Sequence, residues 1–70
     1  MKVLIVVEQT STGFSAFSPD IAGCSATGAT REEVERSIKE AVEYHLEALR
    51  AEGQAVPAPH SYATFVEVAA

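Results

Sequence analysis

Near its start the chain carries an unbroken apolar run, Val3-Leu4-Ile5-Val6-Val7, between Lys2 and Glu8. β-Branched residues dominate it, so a strand is expected over about residues 2–8. Val3, Ile5 and Val7 fall on one face and Leu4 and Val6 on the other. Apolar residues on both faces suit a strand covered on both sides. Polar Gln9-Thr10-Ser11-Thr12 then leads to Gly13, a break of hairpin length. A second strand is expected over about 13–18, stopped at Pro19, which cannot donate to a sheet ladder. Pro19 to Gly23 read as a turn, with Asp20 able to bond nearby backbone N–H groups and Gly23 free to take positive φ. A short third strand follows over about 24–28.

The period changes at Thr30. Val34, Ile38, Ala41, Val42, His45, Leu46 and Leu49 recur at helical spacing, which predicts a helix over about 31–52. Thr30 and Glu33 have capping-box spacing, and Glu32 and Glu33 suit the positive end of the helix dipole. Opposite charges stand four apart at Glu32–Arg36, Glu35–Lys39 and Arg36–Glu40. Gly53 is placed to end the helix, and the loop from Gln54 to His60 cannot continue it through Pro57 and Pro59. Tyr62 to Val68 read as a last strand.

The order β-β-β-α-β predicts an α+β fold of two layers, residues 1–70 forming a single domain. Three antiparallel strands and a right-handed crossover bring the fourth strand parallel to the first. The expected sheet order is 3-2-1-4 with one helix packed on one face, a partial ribonuclease H-like sheet. One helix covers one face only. The apolar character of the first strand on its other side therefore predicts a homo-oligomer, a dimer first and a tetramer as the next option.

Composition narrows the class. Seventy residues with 47% hydrophobic content fit one folded domain rather than a disordered chain. A domain this small leaves much of its surface exposed, which also favours a partner. The single Cys24 excludes an intrachain disulfide framework and suits a reducing, cytoplasmic setting. No apolar run is long enough to span a membrane. Ten acidic residues against five basic ones, net charge −5, argue against a nucleic-acid surface and favour a basic partner.

Candidate chemistry is sparse. Cys24 has no base at a telling spacing, with His45 on the helical stripe and His60 in a proline-rich loop. One cysteine and two scattered histidines fall short of a zinc set. The ribonuclease H topology raises a two-metal nuclease, yet Glu8, Asp20 and Glu67 form no readable carboxylate cluster. No phosphate-binding glycine motif occurs. The expectation is a protein without enzymatic activity, metal or cofactor.

Taken in order, Gly13-Phe14-Ser15-Ala16-Phe17-Ser18-Pro19-Asp20-Ile21-Ala22-Gly23-Cys24 resembles the signature G-[YF]-x-[AV]-x-x-P-D-[LI]-x-G-C of HicB-like antitoxins. Gly28-Ala29-Thr30-Arg31-Glu32-Glu33 resembles that family's G-x-T-x-E-E opening of the helix, and Leu46-Glu47-Ala48-Leu49, Gly53 and Val56-Pro57-Ala58-Pro59 resemble its tail. The resemblance spans nearly the whole chain. It implies a module that neutralises a HicA-type toxin, a small basic messenger-RNA interferase, by protein–protein contact. It also implies a partial ribonuclease H-like fold that oligomerises and needs no catalysis. Phe17, Pro19, Asp20, Ile21, Gly23 and Cys24 are the candidate partner contacts or motif-turn residues. Full-length antitoxins of this type add a C-terminal DNA-binding domain. This sequence ends at Ala70, directly after the last strand, so the expectation is no such domain and no direct DNA binding. The alternatives are a stand-alone oligomeric domain with another partner or ligand, and a ribonuclease H-related nuclease.

Overall fold

The computed structural model describes residues 1–69, and Ala70, the end of the expected domain, lies outside them. Three short strands, β1 (Val6–Gln9), β2 (Phe14–Phe17) and β3 (Ser25–Gly28), precede one long helix, α1 (Arg31–Ala51). The strands form an antiparallel sheet in the order β1-β2-β3. The meander and the helix agree with the α+β reading. In register, Val7 faces Ala16, which faces Ala26, while Val6 faces Phe17 and then Ser25.

Strand lengths are set by the partner rather than by apolar content. β1 starts at Val6, four residues later than its composition suggests, because its ladder partner β2 ends at Phe17 and the chain then turns away at Pro19. The expected fourth strand is absent from the sheet. Residues 62–68 carry no ladder pairing and are exposed throughout. A strand exists only where a neighbour accepts its backbone bonds, and this segment lies beside none in its own chain.

Helix α1 forms as its sequence directs. The Thr30 hydroxyl accepts from the Glu33 N–H at 3.1 Å, and Glu33 Oε2 accepts from the Ala29 N–H at 3.0 Å. Glu33 thus reaches one residue further back than the usual capping box. At the other end Gln54 N–H donates to the Leu49 carbonyl and Gly53 N–H to that of Arg50, at 2.9 and 3.1 Å. This pairing, a Schellman closure, stops the helix at Ala51. The three charge pairs expected along the helix do not close. Among the described residues the contact within ion-pair distance is His60 with Asp20. Exposed pairs gain little against the entropy of holding two long side chains, so their absence costs little.

The core is the helical stripe Val34, Ile38, Val42 and Leu46 packed on Ala16, Ile21 and Cys24. The sheet face toward the helix presents Val7, Phe14, Ala16 and Ala26, all buried or half-buried. Gly28 lets the helix start close in. A Cβ there would stand 2.7 Å from the Val34 backbone nitrogen. The other sheet face is more polar than the first strand suggests, with Ser15, Ser25, Thr27 and Glu8 around an apolar patch of Leu4, Val6 and Phe17. Among the described residues no helix is long and apolar enough to cross a membrane.

Replacing Ile38, 2% exposed, with Ala should cost about 2–5 kcal/mol. Thr30→Ala, which removes only the cap, should cost about 1 kcal/mol. Urea unfolding of the two variants checks this order; equal losses would contradict the packing described.

Candidate functional site

The motif turn is a closed loop between β2 and β3. Ser18 N–H donates to the Cys24 carbonyl at 3.2 Å, and Cys24 N–H to that of Ile21 at 3.4 Å. Gly23 sits at φ +82°, a conformation in which a side chain would clash with its own backbone. That reversal leaves Ala22 and Gly23 exposed at the tip and turns Ile21 and Cys24 into the core. Pro19 is half-buried, and Phe17 stands 41% exposed on the open sheet face. The six motif residues therefore divide. Asp20, Ile21 and Cys24 face inward, Phe17 and Gly23 face solvent, and Pro19 lies between.

Asp20 does not bond its neighbours in the loop. Its Oδ1 accepts from the backbone N–H of His60, forty residues away, at 3.2 Å. The His60 ring Nδ1 is also 3.2 Å from Oδ1 and 3.3 Å from the Ala58 carbonyl oxygen, so an Nδ1–H serves both acceptors. Oδ2 is buried and has no hydrogen-bond partner among the described residues, and the same holds for Ser18 Oγ. Burial pushes the Asp20 carboxyl up, but Ser61, the His60 N–H and the His60 ring together outweigh it and hold the group below its usual 3.8. Asp20 thereby ties the β2–β3 loop to the segment that follows the helix. Sequence spacing carries no signal for His60 and Ser61 as its partners.

The catalytic candidates do not assemble. Burial raises the Cys24 thiol above its ordinary value, opposite to what a nucleophile needs. His45 is half-buried on α1 and the His60 ring is largely exposed. Glu8 and Glu67 are exposed on separate parts of the chain, while Asp20 is buried in its loop. Among the described residues no three His, Cys, Asp or Glu side chains gather as a metal cluster.

A second feature was not legible in the sequence. Helix α1 packs over β2 and β3, leaving an open groove of about 850 Å³ between itself and the outer side of β1. Met1, Val3, Ile5 and Val7 line one wall and Ile38, Val42 and Leu46 the other, with Glu35, Lys39, Glu43, Glu47 and Arg50 along the helix rim.

Residues 3–69 match the family model of the HicB-like antitoxin of bacterial toxin-antitoxin systems. The chain belongs to that family. A UPF0150 protein of Synechocystis sp. is 39% identical over 54 residues, 77% of this chain and 68% of the relative. A UPF0150 protein of Helicobacter pylori is 40% identical over 52 residues, 74% of this chain and 72% of its own. A solved chain of a HicA3 and HicB3 toxin-antitoxin complex superposes with a TM-score of 0.66 at 34% identity, covering 84% of this chain and 72% of that one.

Because the fold favours the charged carboxylate, the contribution of Asp20 is fully present above 3.8 and is lost as pH falls through the lower folded-state value. Carboxyl-carbon NMR of Asp20, followed together with the His60 amide shift, should show both moving in one transition below 3.8. An Asp20 midpoint at or above 3.8 would contradict the link.

Proposed function

We propose that the chain is a protein-binding module, not an enzyme, that neutralises a HicA-type toxin by direct contact. The observation that carries this reading is its likeness, in sequence and in backbone, to a chain of a HicA3 and HicB3 complex. The charge supports it. Net −5 on the chain speeds encounter with a small basic partner and suits no nucleic-acid surface, so direct operator binding is not part of this reading.

The contact region we assign is the outward part of the motif, Phe17, Pro19 and Gly23, with the open sheet face around them. Phe17 is an exposed aromatic on a rigid strand, the kind of residue that anchors interfaces. Asp20, Ile21 and Cys24 hold that region from beneath. The module acts in the cytoplasm as a homo-oligomer, a dimer first. Its working sheet has the four-strand order 3-2-1-4 of a partial ribonuclease H-like fold. Support for this comes from the apolar groove beside β1 and the exposed apolar segment after the helix, since water-exposed apolar surface of this kind favours a covering partner.

The test is RNA cleavage by the cognate HicA-type toxin with and without the pure chain. Cleavage should stop near equimolar chain, and binding should weaken with salt. Phe17→Asp should bind at least about 10-fold more weakly while its circular dichroism stays unchanged, as expected for an interface anchor. Undiminished cleavage in excess chain would sink the proposal.

A further inference from the structure

We propose that two copies exchange their C-terminal segments, residues 62–68 of each lying along the outer edge of the partner copy's β1 and filling its groove against α1. This deepens the dimer reading above and rests on it, but it can fail separately.

The groove has the shape of a missing strand. Helix α1 sits over β2 and β3, so the inward residues Val3, Ile5 and Val7 reach the core but stay only half-buried, and Ile38, Val42 and Leu46 close the opposite wall. On its outer side β1 pairs with no strand, which leaves backbone donors and acceptors ready to receive one. The groove runs along the helix from Glu35 to Arg50, about 22 Å at the helical rise. Residues 62–68 in extended form span about 20 Å.

The segment has the composition of that strand and nothing to pack on in its own chain. Tyr62, Val66 and Val68 are 77–86% exposed and Phe65 is 102% exposed, as in an unfolded chain. Alternation settles its faces. Val66 and Val68 share one side, which goes into the groove. Glu67 needs water and takes the other side with Phe65, beside Leu4 and Val6 on the open sheet face.

The segment does not enter its own groove, whose lining includes none of its residues. Pro57 and Pro59 pack beside Met1, Val3 and Ile21 at the start of the first apolar run. Asp20 clamps the His60 N–H just beyond them. From that fixed root the segment stands off the body. The Cα radius of gyration is 14.0 Å and the longest extent 49 Å, whereas a compact chain of this length would have a radius of about 11 Å. A two-fold pair of such molecules offers two projecting segments and two open grooves, and reciprocal exchange fills both.

Sedimentation velocity of the full chain at micromolar concentration should show a dimer. The double variant Val66→Asp, Val68→Asp should raise the dissociation constant about 100-fold or more, since charge would enter an apolar groove. Its helical circular dichroism should not change, because those side chains are exposed in the single chain. Isotope-filtered NMR on a dimer mixed from labelled and unlabelled copies should place the Val66 and Val68 methyls against Val3 and Ile5 of the other copy, which are half-buried in the groove wall. A dimer that survives the double variant, or whose Val66 contacts lie within one copy, overturns the exchange and leaves the dimer reading standing. A monomeric full chain overturns both.

Discussion

The packing of Val34, Ile38, Val42 and Leu46 onto Ala16, Ile21 and Cys24 is the contact that holds every other part in place. With one cysteine the chain has no intrachain disulfide to lean on, and its strands are four residues each. Burial of each large side chain is worth about 1.5–3 kcal/mol, so a handful of them must offset most of the ordering entropy. Two of the seven come from the loop between β2 and β3 rather than from any strand or helix. The helix therefore fixes the loop as firmly as it fixes the sheet. The close approach at Gly28 serves the same contact by letting the first turn of α1 settle against β3.

This gives the family motif a physical meaning. Ile21 and Cys24 are core residues supplied by a loop, Gly23 is the reversal that delivers them inward, and Asp20 is a buried anchor. None of these needs a partner molecule to explain it. Of the six motif residues, Phe17 and Gly23 stay exposed, and it is on Phe17 that the proposed partner contact rests. Apart from the buried Asp20, the acidic residues are all exposed, and among the described residues no three His, Cys, Asp or Glu side chains converge as a metal cluster.

Asp20 also couples two regions that the chain order keeps apart. Through the His60 N–H it sets where the C-terminal segment leaves the body, so the motif loop and the segment share one anchor. Rigid proline flanks transmit that setting over a few residues. The position of the segment relative to the sheet is thus a property of the loop as much as of the residues after Gly53.

The meander, the helix with its caps and the inward stripe were all legible from local pattern. Period, β-branching, capping chemistry and turn residues act over a few positions, and here they all agree. The closing of the helix at Gly53 and the stop at Pro19 are of the same kind. Three things were decided only by the tertiary structure. The apolar run from Val3 became a strand only from Val6, because the partner strand ends at Phe17. The β-like stretch from Tyr62 stayed unpaired, because alternation marks what can form a strand but not which neighbour will accept it. Asp20 found its donor at His60, forty residues on, a meeting that depends on how the helix lays the returning chain against the loop. Local physical chemistry in the sequence determined which elements form; long-range placement determined which edges and side chains they leave without a neighbour.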